Sequence, residues 1–195
     1  MVSRFALVFC LATLGFASPV KRDVATVEAD IANIDTQVTA LQASIDAFPA
    51  TGGTLVNALA IHTSATNLIS TIDGATADTK ATDAFSEEEG TTILGLVEAL
   101  EPKIFGSLTS IADKKPAFEC AYPALRLVTV LTTREALPIG GVPAIVLQDI
   151  KNLDTSTAAF ADALIANSPA DLATEANAIK DDIAAAFDTA IAVYS

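Results

Sequence analysis

The side chains that most often carry out chemistry are scarce in this chain. Its 195 residues include no tryptophan, one histidine and two cysteines. His62 has neither a second imidazole with which to share a metal nor a nucleophile at a recognisable spacing. Without tryptophan the chain also lacks the main aromatic platform of carbohydrate-cleaving sites. We therefore predict that the protein is not an enzyme and uses no metal and no cofactor.

Glycine-rich and glutamate-rich motifs do not change that prediction. Gly52-Gly53 and Gly140-Gly141 are not followed by the frame of a phosphate-binding loop, and the sequence has no Gly-x-Ser-x-Gly or His-Glu-x-x-His motif. The acidic run Glu87–Glu89 follows Ser86 and matches the start of a helix. A calcium-binding loop would instead spread its oxygen ligands over about 12 residues.

The N-terminus has the pattern of an export signal. A basic start is followed by an apolar run over residues 5–16 and by small residues up to Ser18. The run is shorter than the roughly 20 residues that cross a membrane, so we favour a cleaved signal peptide (1–18) over a retained anchor. Lys21-Arg22 then forms a dibasic processing site that ends a short propeptide (19–22), or is simply part of a frayed terminus. We predict an extracellular protein, free or retained in the cell wall, with one domain over residues 23–195.

Processing would make the chain strongly acidic. Removing Arg4, Lys21 and Arg22 from the 11 basic residues leaves eight against 24 acidic residues, a net charge of −16. Such a surface repels nucleic acid and anionic membranes, so nucleic acid is excluded as a partner. No membrane span is expected, because the apolar run at the N-terminus is too short for one. Cys10 leaves with the signal peptide. Cys120 is then unpaired, and we expect it to be buried and inert.

Hydrophobic periodicity predicts an all-α fold. Apolar residues recur at alternating steps of three and four along the first helix, as one stripe does on a helical surface: Val24, Val27, Ile31, Ile34, Val38, Leu41, Ile45 and Phe48. Four further helices are predicted, over residues 54–72, from Ser86 to about residue 114, from Pro143, and from a Ser168 cap with Pro169 in the first turn. Residues 74–83 should form a loop, and Pro102 should kink or break its helix. The prediction is an up-and-down bundle of about five amphipathic helices.

With these elements in order, the chain resembles the hydrophobic surface-binding protein A family, which includes fungal cell-wall galactomannoprotein antigens. The likeness lies in Ile34-Asp35-Thr36 with Leu41, in the stretch from Leu68 to Asp73, in the Ser86 helix, in 114–118 and in the closing block 163–194. It implies a secreted helical bundle that adsorbs to apolar surfaces. It also implies that some relatives hold fatty acids between their helices, and that some recruit a polyester- or cutin-degrading hydrolase to a hydrophobic solid.

Residues 120–135 depart from the family pattern. They hold the cysteine of the processed chain and its two arginines, Arg126 and Arg134. Family spacing would join Phe118-Glu119 almost directly to residue 136. The segment is therefore either a translated intron or an additional helix, for which Leu125 and Val128 could supply an apolar face.

The apolar stripes allow two interpretations, a packed core or a cavity that holds a guest. With the family likeness we expect a protein that binds hydrophobic surfaces or fatty-acid-like lipids in a cavity between its helices. The alternative is a structural cell-wall protein or an adaptor that recruits a secreted hydrolase. The expected lining consists of inward apolar positions: Ile34, Val38, Leu41, Leu68, Val97, Ile104, Leu153, Phe160, Ile183 and Phe187.

Overall fold

The computed structural model describes residues 23–51, 53–120 and 141–195. These ranges contain six helices and no strand, which confirms the all-α prediction: α1 (Val24–Asp46), α2 (Leu55–Ala81), α3 (Glu87–Asp113), α4 (Lys115–Cys120), α5 (Gly141–Asn167) and α6 (Ala173–Tyr194). The predictions of a signal peptide, a propeptide and an intron-like segment lie outside the described residues, apart from Cys120. That thiol is exposed at the end of α4, so the expectation that it is buried was wrong.

Local side-chain bonds set the starts of the first three helices. The side chains of Asp23 and Thr54 accept hydrogen bonds from backbone amides in the first turns of α1 and α2. At α3 the expected capping box is confirmed: Ser86 accepts from the Glu89 amide, and the Glu89 carboxylate accepts from the Ser86 amide. Each bond satisfies an amide that the helix itself leaves without a partner.

The five long helices form a closed ring. Going around it, α1 packs against α2, α2 against α5, α5 against α6, α6 against α3, and α3 against α1. α4 is a short segment beside α3 and α5. A ring of five helices cannot place every helix at van der Waals distance from every other one. The centre of the ring is therefore where residual space is expected.

Interhelical bonds give the directions of the helices. Asp35 pairs with Lys103 and Gln42 bonds Ser110, so residue number rises in the same direction along α1 and α3. In α2 and α5, His62 pairs with Asp149 while Thr79 accepts a bond from Asn167, so these two helices are also parallel. The short connections make α1 antiparallel to α2 and α5 antiparallel to α6. Three helices thus run one way and two the other, as an up-and-down bundle requires.

The predicted loop over residues 74–83 was wrong, because α2 continues to Ala81. Ala75 is buried, and Thr76 and Thr79 lie on the same inward face with their hydroxyls donating to carbonyls four residues earlier. Threonine and glycine lower intrinsic helix propensity, which was the basis of the prediction. Packing against the neighbouring helices outweighs that preference.

Two other local predictions also need correction. Pro102 does not break α3, which is continuous to Asp113, because losing one amide at an exposed position is tolerated when both halves of the helix are packed. The alternative, a kink at Pro102, stays a prediction. Ser168 does not cap α6. Its hydroxyl donates back to Leu164, and Pro169 to Leu172 form a turn before the helix begins at Ala173.

Candidate functional site

Two apolar cavities occupy the centre of the helical ring. The larger one, which we call the main cavity, encloses about 90 Å³, and the second cavity encloses about 70 Å³. Together they are comparable to an engineered apolar cavity of about 150 Å³ that stays dry and binds benzene. At about 24 cal/mol per Å³, the main cavity alone costs roughly 2 kcal/mol when empty. A space of this size is expensive to maintain without a guest.

All five long helices contribute to the wall of the main cavity. Its apolar residues are Ile34, Val38, Leu41, Ile45, Ile61, Ala65, Leu68, Ile72, Leu100, Ile104, Leu108, Ile111, Val146, Ile150, Leu153, Phe160 and Phe187. Most of these side chains also belong to the buried hydrophobic core. The wall of the cavity is therefore formed by core side chains of the bundle.

The second cavity adjoins the main one between α3, α5 and α6. The two share four wall residues: Leu100, Ile104, Thr157 and Phe160. Along α3 their combined walls run from Ile93 to Ile111, which is about 27 Å at 1.5 Å per residue. One layer of acyl chains fills about half of the roughly 30 Å hydrocarbon core of a bilayer. The combined space, which we call the channel, is thus long enough for one extended acyl chain.

All ten residues expected from the sequence to line a cavity lie on the channel wall. Ile34, Val38, Leu41, Leu68, Leu153 and Phe187 line the main cavity, Val97 and Ile183 line the second, and Ile104 and Phe160 line both. The structure brings them together around one space. Their role in binding a ligand stays a prediction.

Sequence reasoning missed the polar groups on the wall of the main cavity. Ser107, Asp149 and Thr157 all line it. A signal was present: Ser107 lies in helical phase with Ile104 and Ile111, so its side chain had to point inward. Asp149 likewise interrupts an apolar stretch of α5. Both were passed over because isolated polar residues within an apolar stripe do not form a motif.

Asp149 is the charged residue on this wall, and His62 is its partner. The Nδ1 atom of His62 lies 2.9 Å from each carboxylate oxygen of Asp149. Asp149 is buried, whereas 39% of the His62 side chain is exposed. Burial raises the pKa of the Asp149 carboxyl above its ordinary value, and the hydrogen bond and charge of His62 partly oppose that rise. The pair therefore connects the cavity wall to solvent across α2 and α5.

The second cavity has a cation at its edge. Lys180 lines the cavity, and its ammonium group pairs with the exposed carboxylate of Asp162. The aliphatic stem of a lysine can cover apolar space while its charged end reaches water. Lys180 therefore lies where the cavity approaches solvent between α5 and α6.

The outside of the bundle differs sharply from its inside. Among the described residues, the large apolar side chains that are exposed are Val56, Leu59 and Val193. No helix in the described ranges is both long and apolar enough to cross a bilayer. In the same ranges, no cluster of three or more His, Cys, Asp or Glu side chains could hold a metal ion.

Comparison with known proteins relates this architecture to others. The model of the family described as "Hydrophobic surface binding protein A" matches residues 24–166. A search of curated proteins gave no match. Among solved structures, AfMp4p in complex with palmitic acid is 33% identical, with a TM-score of 0.76 over 89% of this chain and 100% of that chain.

Two more distant structures share the fold. Ligand binding domain 1 of the Penicillium marneffei MP1 protein, complexed with arachidonic acids, is 15% identical, with a TM-score of 0.73 over 88% of this chain and 99% of that one. Ligand binding domain 2 of the same protein, complexed with multiple arachidonic acids, is 16% identical, with a TM-score of 0.72 over 90% and 98%. The family match spans most of this chain, and the AfMp4p likeness extends over nearly all of it. The chain belongs to the hydrophobic surface binding protein A family.

Proposed function

We propose that this protein is a secreted, non-enzymatic binder of fatty-acid-like lipids, which it holds in the channel at the centre of its helical ring. The observation that carries the proposal is the channel itself, two adjoining apolar cavities walled by all five long helices. The ten residues named from the sequence would line the bound chain. AfMp4p, which is 33% identical and was solved with palmitic acid, supports the same ligand class.

Burial of the acyl chain would supply the affinity. Each methylene removed from water contributes about 0.8 kcal/mol, so a long chain gains enough to offset the cost of association and still bind at about micromolar concentration. Filling the main cavity also recovers the roughly 2 kcal/mol that the empty space costs. Both contributions favour a guest with a long, flexible hydrocarbon part.

Binding a long chain requires the ring to widen. A long acyl chain is larger than the benzene that fills an apolar cavity of about 150 Å³. The walls must therefore move outward, which the sliding of packed helices allows. Widening would also expose inward apolar stripes, and this gives a physical route from lipid binding to adsorption on an apolar solid.

Titration of the secreted, delipidated protein with a fluorescent fatty acid tests the proposal. We expect saturable binding at micromolar concentration and displacement by unlabelled palmitic acid. At a free ligand concentration of 100 times Kd, the free energy of unfolding should rise by about 2.7 kcal/mol. An acidic globular protein of similar size is the control. Binding no stronger than that of the control would refute the proposal.

Secretion and processing are part of the same proposal. The side chain of Asp23 caps α1, so the first helix is complete in a chain that starts at this residue. N-terminal sequencing of protein collected from the medium should give Asp23 if cleavage follows Lys21-Arg22, or Pro19 if only the signal peptide ending at Ser18 is removed. Recovery of the protein only in the cell would contradict an extracellular role.

A second candidate function is an adaptor that recruits a secreted polyester or cutin hydrolase to a hydrophobic solid. The acidic surface of the processed chain favours this function, since it keeps the free protein soluble and offers a charged docking face. Hydrophobic beads coated with the protein should then retain more hydrolase than beads coated with an equally acidic control. Equal retention would exclude the adaptor function without affecting lipid binding.

A further inference from the structure

Ser107 is a buried hydroxyl on the wall of the main cavity. Its exposed fraction is 7%, and within the described part of the chain its Oγ has no hydrogen-bond partner. Its neighbours on the same face of α3 are Ile104, Leu108 and Ile111, which also line the cavity. A polar atom in these surroundings is unfavourable unless something in the cavity bonds to it.

The two buried threonines near the end of α2 satisfy their hydroxyls within their own helix. Thr76 and Thr79 each donate to the carbonyl four residues earlier at 2.8 Å. Ser107 does not use this local bond, so among the described residues both its donor and its acceptor capacity are unmet. The unmet hydroxyl faces the same space in which the acyl chain would lie.

We propose that Ser107 Oγ is the hydrogen-bonding anchor for an oxygen of the bound lipid, either a hydroxyl or a carboxyl oxygen. The inference rests on the proposed lipid-binding function and adds the position of the polar head. A hydroxyl can donate to a carboxylate and can accept from an alcohol, so one side chain serves both groups. A pure hydrocarbon of the same length cannot satisfy it.

The position of Ser107 also orients the guest. From Ser107 to Ile93 the channel wall on α3 extends over 14 residues, about 21 Å. Asp149 lies on the opposite side of Ser107, towards the C-terminal end of α3. It is in the third turn of α5, and because α5 is antiparallel to α3, the first turns of α5 lie beside the last turns of α3. The head is therefore at Ser107, and the tail runs through the second cavity, away from the Asp149 carboxylate.

The test compares guests that differ only in their polar head. The secreted, delipidated protein is titrated with dodecanoic acid, 1-dodecanol and dodecane, each of which displaces a fluorescent fatty acid. Ser107→Ala should weaken binding of the alcohol by about three- to tenfold, the value of a neutral hydrogen bond, and binding of the acid by at least as much, since a carboxylate is a stronger acceptor. It should leave dodecane binding unchanged or tighter. Ser107→Cys keeps the size of the side chain but donates and accepts weakly, so it should shift affinities in the same direction.

Thr109→Ala is the matched control, because Thr109 is on the same helix but exposed to solvent. It should change none of the three affinities. The ligand-free S107A protein should also unfold at a higher temperature than the wild type, since an unsatisfied hydroxyl has been removed. Equal weakening for dodecane, or no weakening for the two oxygenated guests, would overturn the anchor while lipid binding stands. If the wild type binds none of the three, the proposed function fails together with the anchor.

Discussion

The imidazole of His62 and the carboxylate of Asp149 form a hydrogen-bonded pair in which Nδ1 is equidistant, at 2.9 Å, from both carboxylate oxygens. The pair joins α2 to α5, which are neighbours in the ring and run in the same direction. The carboxylate is 10% exposed and the imidazole 39%, so the costly desolvation falls mainly on Asp149. The main effect of His62 is therefore to lower the free-energy cost of burying the Asp149 carboxylate.

His62→Ala should destabilise the protein in a pH-dependent way. Burial raises the pKa of Asp149 in the folded state, so the protonated carboxyl favours the folded protein. This contribution to the free energy of unfolding is complete below the unfolded pKa of about 3.9 and is lost as pH rises through the folded pKa. Without His62 that loss is larger. We expect a cost of about 1–2 kcal/mol near pH 7 and almost none near pH 3, measured by urea denaturation at each pH. In an Asp149→Asn background the same substitution should show no such pH dependence, and a constant cost in both would contradict the pairing.

Tyr194→Phe should loosen the end of the bundle. The Tyr194 hydroxyl donates to the Ile111 carbonyl at 2.6 Å and joins the last turn of α6 to α3. Burial raises the pKa of this hydroxyl above its usual range, with a smaller contribution from the Glu119 charge. Because the substitution leaves a buried carbonyl without its donor, the free energy of unfolding should fall by about 1–2 kcal/mol in urea denaturation. An unchanged midpoint of urea denaturation would show that the bond makes no net contribution to the free energy of unfolding.

Two glycines of α3 should respond in opposite directions to alanine. A Cβ at Gly90 would lie 2.7 Å from the Pro169 ring and 3.0 Å from Leu172, whereas at Gly95 it would meet nothing within 4 Å. Gly95→Ala should stabilise the protein by about 0.5–1 kcal/mol, because alanine loses less backbone entropy on folding. Gly90→Ala should be destabilising, since the chain before α6 must move away. Thermal unfolding of both variants measures the difference, and stabilisation of both would mean that the α3–α6 contact is loose.

Val97→Trp should block the second cavity and discriminate between guests by length. Val97 lines only that cavity, so an indole there fills the space reserved for the distal part of a long chain. We expect palmitic acid to bind at least about tenfold more weakly, a loss of about 1.4 kcal/mol, while decanoic acid is little affected. Val56→Trp is the control, because Val56 is 76% exposed. Equal weakening for both acids would place the tail elsewhere.

Several elements of the fold were accessible from sequence because they depend on local chemistry. The stripe from Val27 to Ile45 requires an amphipathic helix with one buried face, and each of its expected inward residues is buried. The Ser86 capping box needs only residues three apart. The C-terminal part of α2 and the start of α6 were mispredicted because there the outcome depends on neighbours distant in sequence. Thr79, for example, is held by its own hydroxyl bond and by the amide of Asn167, 88 residues away.

By itself the amino-acid sequence determined which faces of the helices avoid water, and so which residues line the interior. It also carried enough family likeness to indicate a lipid-binding bundle. Only the tertiary structure decided that these faces enclose a channel, because the order of helices around the ring sets the distance between opposite walls. It also decided the surroundings of Ser107 and Asp149. A polar side chain on an apolar stripe can be satisfied, paired or left unmet, and that depends on partners contributed by other helices.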